Sequence, residues 1–482
     1  MQEAMKDLVV YSAPDGLKGN PDFSVRVRAI GGEWQTIFNY NVKVDMHHVR
    51  NASMVTFDCA GPVELEIIKL EGLVQEVAIR PIACGLKCEY EGNKIKLQLD
   101  GPRQLSLEIN GDRFHNLHIL ANAVEQEIPD PSRSDVLWLK AGMHNTAELI
   151  DLLYAVSKNG DSKYIYFDSG IHRFDTDRLE IPSFTNVYTA GGALIIGGFI
   201  CNQVEEVCIR GRGILFMEDF VKTTYYRGVE INYSRNISVE GITVIDPPHY
   251  TILLGQSTDI QIRNIKSFST RGWCDGIDMM ACSNVSIDGV FLRTSDDSIA
   301  IYASRGEFRG NTRNISVQNS ILWADVAHPV NIGTHGGYEG EGDVIENVII
   351  NEIDILEHHE PQPDYWGCLA INAGDNNSVQ NVTFENIRIE PFELGELFNV
   401  RVLQNPKYNP APGKQIRKIL FKNISYTGSC ANRSHIEGYD ETRKVEGVIF
   451  DNVLINGRHF DFMQDVLIGP HVTEVKMQKS KV

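Results

Sequence analysis

The chain has 482 residues, of which 42% are hydrophobic and 23% charged. Such a composition is that of a soluble protein with a sizeable core, and the length calls for two domains or one elongated repeat domain. A formal net charge of −19 argues against nucleic acid and anionic membranes as partners. It also disfavours an anionic polymer as substrate, unless a local basic groove overrides it.

The opening residues, MQEAMKDLVV, show no basic stretch followed by an apolar one. The longest apolar run, ALIIGGFI (193–200), is too short to span a bilayer. The nine cysteines are scattered, with no metal-type CxxC pair. These features lead to the expectation of a cytoplasmic protein with free thiols, or a secreted one whose leader has been removed. Neither a structural metal nor a cofactor is expected.

Residues 1–125 alternate apolar and polar with period two, as in SVRVRAI (24–30), VELEI (63–67), KIKLQL (94–99) and LSLEI (105–109). Gly31-Gly32, Gly92-Asn93, Gly101-Pro102 and Asn110-Gly111 punctuate the runs. Short strands without intervening helices predict an antiparallel β-sandwich. The polar, proline-bearing stretch 126–134 reads as a linker, and 135–482 as a second domain. Near 145–158, HNTAELIDLLYAVSKNG (144–160) predicts a helix that caps that domain. Asn145 and Glu148 have capping-box spacing, Leu149, Leu152, Leu153 and Val156 form an apolar face, and Gly160 is a stop signal.

An apolar–polar–apolar triplet then recurs every 23 to 37 residues: Ile237-Ser238-Val239, Ile260-Gln261-Ile262, Val285-Ser286-Ile287, Ile315-Ser316-Val317, Val348-Ile349-Ile350, Val382-Thr383-Phe384, Ile419-Leu420-Phe421 and Val448-Ile449-Phe450. Asn236, Asn284, Asn314, Asn347 and Asn381 precede five of them. A unit of this size holding short strands and no helix describes one coil of a right-handed parallel β-helix, with coils about 4.8 Å apart. The fold class is all-β. Each Asn is expected at a turn, bonding the backbone of a neighbouring coil. Insertions at 305–313, 336–345, 357–367 and 404–415 are placed to frame a groove and close one end of it.

Within this array, Asp296 and Asp297 stand side by side, with Asp275 in GWCDGIDMM 21 residues earlier, about one coil. Residues one coil apart share a face, so three carboxylates are expected in one patch. Crowded like charges keep one carboxyl protonated near neutrality, able to protonate a leaving oxygen, while the others hold and deprotonate water. This is the equipment of glycoside hydrolysis, with about 6.5–9.5 Å between carboxyls expected for inversion. Calcium binding and solvated turn aspartates are the alternatives, and the one-coil spacing weighs against the second. The next coil adds His328 in DVAHPVNIGTHGG, and two coils on FNVRVLQNP adds Arg401. Asp278, Trp273, His249, His335 and Arg271 complete the candidates for lining the groove; HHEP (358–361) reads as a solvated loop.

Asp275-Gly276-Ile277-Asp278, Asp296-Asp297, AHPVNIGT and NVRV, in this order, resemble glycoside hydrolase family 28, the polygalacturonases and their relatives. The resemblance spans roughly 135–455 and implies an inverting hydrolase on a right-handed parallel β-helix. It makes Asp296 the general acid, Asp275 and Asp297 the residues that position and activate water, His328 a support for the acid, and Arg401 a substrate ligand. An N-terminal β-sandwich is similar to family 49, the dextranases and isopullulanases. Trp273-Cys274 replace the family's Asn-Thr, Ala327 and Pro329 replace the glycines flanking the His, and Leu403 stands where Arg-Ile-Lys has its Lys. The missing Lys and the net charge point to a neutral α-linked oligo- or polysaccharide. The alternatives are a galacturonan hydrolase, a polysaccharide lyase and a non-catalytic carbohydrate-binding β-helix. A homo-oligomer is left open.

Overall fold

The computed structural model describes residues 7–156, 163–362, 365, 367–429 and 432–480. Two sheets form the N-terminal part. One joins Leu8–Val10, Tyr40–Val44, Arg50–Cys59, Val77–Arg80, Arg103–Ile109 and Asp112–Ala123; the other joins Phe23–Ala29, Gln35–Ile37, Val63–Lys69, Cys88–Glu91 and Lys94–Leu99. Alternation sends Val25, Val27, Leu65, Ile67, Ile95, Leu97, Leu105 and Leu107 into the space between them. One pair departs from the antiparallel expectation: Asp112–Ala123 runs parallel to Arg50–Cys59.

From Val136–Leu139 to Val472–Gln478 the chain winds as a parallel β-helix, each strand pairing with its counterpart one coil later. The triplets stack in register throughout: Ile237 on Ile260, Val285, Ile315, Val348, Val382, Ile419 and Val448 in turn. Both apolar members of each triplet enter the core. Each such side chain contributes about 1.5–3 kcal/mol on burial. Phe384, Phe421 and Phe450 stack face to face, with centroids 5.1 and 5.2 Å apart.

The asparagines do not reach backbone, as the sequence suggested. Asn284, Asn314, Asn347 and Asn381 all take left-handed φ between 53° and 58°. Their amides bond one another from coil to coil: Asn314 to Asn284 at 2.9 Å, Asn347 to Asn314 at 3.1 Å, and Asn381 to Asn347 at 3.3 Å. Asn tolerates this backbone region, and a ladder of identical amides satisfies donor and acceptor together. A second ladder, Asn351–Asn386–Asn423–Asn452, runs along the next corner.

The helix Thr146–Val156 closes the N-terminal end, with Leu149 and Leu153 in the solenoid core and the Asn145 side chain accepting the Glu148 N–H at 2.9 Å. Leu152 points to solvent instead, while Gly160 and the Val156 side chain lie outside the described residues. The sandwich lies along one side of the solenoid. Val42, Val44, Met54 and Leu120 pack on Ile245, Phe268, Phe291 and Trp323, and buried Arg212 holds Asp58 at 2.9 and 3.0 Å. Cys59, Cys84, Cys88, Cys201, Cys208, Cys274 and Cys282 are free thiols.

Candidate active site

Three consecutive strands of one solenoid face, Ile277–Met280, Ile299–Tyr302 and Val330–Gly333, carry the site. Ile277 pairs with Ile299 and Ile299 with Val330, so the residues just ahead of each strand stack as well. The Gly276 N–H reaches the Asp297 carbonyl at 2.8 Å, and the Ser298 N–H the His328 carbonyl at 2.8 Å. Asp275, Asp297 and His328 thereby become neighbours on successive rungs. One oxygen from each of Asp275, Asp296 and Asp297 lies within 4.8 Å of the others. These nearest oxygens are closer than the 6.5–9.5 Å expected between carboxyl groups, and Asp275 stands one rung step of about 4.8 Å from Asp297.

The adjacent aspartates have opposite surroundings. Buried Asp297 accepts four hydrogen bonds. On Oδ1 these come from the His328 N–H at 3.1 Å and Nδ1 at 2.6 Å; on Oδ2 they come from Asn331 at 2.8 Å and the Tyr302 hydroxyl at 3.2 Å. Burial alone would raise its pKa, but the facing His328 charge and these donors hold it below the usual carboxylate value. The other nitrogen of His328, Nε2, lies 2.6 Å from the Tyr365 carbonyl. A carboxylate on one nitrogen and a carbonyl on the other require two N–H donors, so the ring is an imidazolium. Burial opposes that charge, but Asp297 wins and lifts the pKa to about 9.

Asp296, half-buried at the groove, accepts backbone N–H groups from Trp273 at 3.0 Å and Asp297 at 3.0 Å. Desolvation, then the Asp297 charge, push it up to about 7. Burial and the charges of Asp278, Asp296 and Asp297 raise Asp275 well above the usual range. Asp278 is fully buried beside Asp275 and is pushed to about 8 chiefly by desolvation. The patch holds one fixed anion among carboxyls that retain protons. These three aspartates form the one set of three metal-capable side chains within ligand reach among the described residues. Asp297 already faces four N–H and O–H donors, an environment that suits an anion rather than a cation's ligand.

The structure places the remaining candidates as follows. Trp273 is exposed at the rim, with the Lys222 ammonium 4.6 Å from its ring centre. His249 lies in the groove wall between Tyr250, Tyr225 and Trp273, at ring separations of 4.0, 5.6 and 6.5 Å. Burial, then Arg227, Arg305 and Lys222, lower its pKa to about 3, so it is neutral. His335 packs edge-on against Tyr302 at 5.1 Å and lies 3.6 Å from Asp375. Arg271 is committed to the Glu218 carbonyl and Asp246. His358 and His359 bond the Ala327 carbonyl and Glu393, while Glu360 lies 4.0 Å from His328.

Arg401 is not brought to the triad. The strand after Val330–Gly333 is Gly367–Ala373, and Arg401 lies one coil further still, paired with Glu437 at 2.9 Å. The rung that follows His328 presents Ala370 and Asn372 outward, with Leu369 and Ile371 in the core. Leu403 follows the more distant strand, so its identity does not bear on sugar charge at the triad. Ala327, in place of a glycine, takes the glycine-like φ of 65° and is held by its N–H to the His359 carbonyl at 2.7 Å.

Four residues escaped the sequence reading. Asn331 is the outward member of PVNIGT, legible from alternation once the strand is placed. Tyr302 ends its own strand. Glu360 and Arg305 come from loops with no periodic signal. Three of the inserted segments pack on one another: the Asn409 amide donates to the Thr334 carbonyl at 2.6 Å, and the Tyr408 hydroxyl to Gln362 at 3.1 Å. They bury the outward-facing Asn372 and Asn399, and so cover the face beyond His328.

Residues 218–467 match the family model described as Glycosyl hydrolases family 28. Exopolygalacturonase B of Aspergillus niger is 30% identical over 237 residues, covering 45% of this chain and 51% of that protein. The chain thus spans about half the length of the curated relatives it matches. In structure, Dex49A from Penicillium minioluteum aligns with a TM-score of 0.68 at 14% identity, covering 98% of this chain and 96% of that one. A hyperthermoactive exopolygalacturonase from Thermotoga maritima aligns at 0.51 and 15% identity, covering 74% and 94%. These structural likenesses concern the fold, which includes the sandwich in the first case. The family match extends over more than half of the chain and contains every stacked acid described above, and the chain therefore belongs to glycosyl hydrolases family 28 and is a glycoside hydrolase.

Proposed function

We propose that this enzyme hydrolyses α-linked galacturonan from a chain end, with inversion. The observation that carries the chemistry is the contrast between neighbours: Asp296 poised near 7 with a proton to give, and Asp297 held ionised by four donors. Asp296 protonates the glycosidic oxygen as the C1–O bond breaks. Water held beside Asp275 and Asp297 attacks C1 from the opposite face and passes its proton to Asp297, the ionised carboxylate of the two. A double displacement needs an ionised carboxylate with a free oxygen to bond C1. Asp297 has both oxygens engaged and Asp275 holds a proton, so water is the nucleophile despite the short spacing.

Galacturonan is favoured by the exopolygalacturonases among the relatives, and by Arg305, Arg227 and Lys222 around the groove. Chain-end action is favoured by the loops that cover the face beyond His328. Hydrolysis of polygalacturonate, dextran and pullulan, with product anomers followed by NMR, tests all three points. Monomer release from polygalacturonate with inverted configuration is expected. Retention refutes the single displacement, and cleavage of only the neutral polymers refutes the galacturonan reading.

A further inference from the structure

A half-buried cation beside the triad, Arg305, has no role in the steps above. Arg305 leaves the strand Ile299–Tyr302 in a tight turn closed by reciprocal backbone bonds with Phe308, both 3.1 Å. Phe308 anchors the turn among Tyr250, Leu253, Met280 and Tyr302. The guanidinium lies 4.8 Å from the ring centre of Tyr302, whose hydroxyl donates to Asp297, and 6.0 Å from that of Tyr250.

Its Nη1 is buried without a hydrogen-bond partner and stands 3.6 Å from Asp278 Oδ2, and neither Asp278 oxygen has a hydrogen-bond partner either. The guanidinium and this carboxyl stop short of bonding distance, which leaves polar valences for a third group. Arg305 and His335 also line a pocket of about 430 Å³ with Gly336, Gly337 and Asp375. Tyr302, which donates to Asp297, has His335 against one part of its ring and Arg305 against another.

The other nearby cations are occupied. Arg227 reaches Glu230 at 3.4 Å, Lys222 rests on Trp273, and Arg309 donates to the Phe308 carbonyl at 2.8 Å. His328 is neutralised by Asp297. Burial keeps protons on Asp275 and Asp278, so the charge of Arg305 is not cancelled by them.

We propose that Arg305 recognises the carboxylate of the sugar bound at the triad, so that the enzyme selects a free-acid uronide over its ester or the neutral sugar. This inference rests on the galacturonan reading and assigns its specificity to a residue outside the family motifs. The planar fork of Arg suits a carboxylate, and the tyrosines beneath it fix its plane.

The test compares kcat/KM on an aryl α-galacturonide with that on its methyl ester for the wild type, R305Q and R305K, with Tm measured alongside. R305Q should lose about 10–150-fold on the free acid, the worth of a charged hydrogen bond, and stay within about twofold on the ester. R305K should fall between. A disturbance of the triad through Asp278 would lower both substrates alike, and that result, or no loss on the acid, overturns the proposal. Should R305Q not fold, R305K supplies the same acid-to-ester comparison. A wild type that cleaves neither substrate refutes the galacturonan reading itself, and the assignment of Arg305 with it.

Discussion

Replacing Asp296 by Asn removes the proton that leaves with the departing sugar. A carboxyl has four lone-pair sites, and two on Asp296 accept the Trp273 and Asp297 N–H groups, so a proton on a remaining site is aimed at the groove. With a pKa near 7, the acid form exceeds the ionised form about a hundredfold at pH 5 and equals it near pH 7. Loss of general acid catalysis costs about 10²–10⁴ in kcat, or about 2.7–5.4 kcal/mol. An amide oxygen cannot accept both N–H groups as the carboxylate does, so D296N also loses about 1–3 kcal/mol of stability. Tm measures that loss separately. The assay compares polygalacturonate with an aryl α-galacturonide whose phenol leaves without protonation. D296N should fall by the full factor on the polymer and by about tenfold or less on the aryl substrate. The alkaline limb of kcat near pH 7 should vanish on both. Equal losses on the two substrates, or a limb that persists in D296N, would refute the assignment of Asp296 as the acid.

Other outcomes follow from the same geometry. H328Q removes the charge facing Asp297, whose pKa then rises under burial, so the acid limb of kcat/KM should move to higher pH; an unmoved limb contradicts the ion pair. His328, Asp296 and Asp278 all have pKa values raised by folding, to about 9, 7 and 8. Raised groups stabilise fully below their unfolded values and lose that contribution as pH rises through the folded ones. Tm should therefore fall between pH 6 and 9, and a Tm that climbs over this range counts against the shifts. N314A gives up two ladder bonds at a left-handed φ of 58°, at a cost of about 2–3 kcal/mol. N314G removes the backbone part and should cost less in urea denaturation; equal costs would mean the backbone conformation contributes nothing. R212M strands the buried Asp58 carboxylate and should cost about 3–5 kcal/mol, read as a lower Tm.

Much of this was legible in the sequence because a solenoid turns linear spacing into contact. Ile237, Ile260 and Val285 announce their register by recurring, and Asp275 could be set beside Asp297 by counting one coil. Counting fails where loops enter. Ile277 to Ile299 is 22 residues, but Val330 to Leu369 is 39, so the rung that carries Ala370 and Asn372, between AHPVNIGT and NVRV, has no spacing signal that reveals it. The charge state of each acid was legible only as a need for asymmetry. Which carboxyl holds the proton depends on Asn331, Tyr302 and His328 converging on Asp297, and no spacing rule reports that convergence. Arg305 was invisible for the same reason, since a loop's direction depends on where Phe308 finds its apolar seat.

The expectation of a neutral substrate took the net charge of −19 as a property felt at the active site. At physiological ionic strength, exposed charges are screened within about 8 Å, whereas buried groups act on one another through a medium that screens far less. The local sum therefore decides. Below pH 7 it comprises one carboxylate at Asp297, one imidazolium at His328, and the guanidinium of Arg305, with Asp275, Asp278 and Asp296 protonated. That sum is positive. Burial first, and then the acids already there, drive each further carboxyl on successive rungs to keep its proton, so crowding acids about 4.8 Å apart adds no negative charge against an anionic sugar. The same crowding sets the upper pH limit, because an ionised Asp296 both withdraws the catalytic proton and repels the uronate from the cleft.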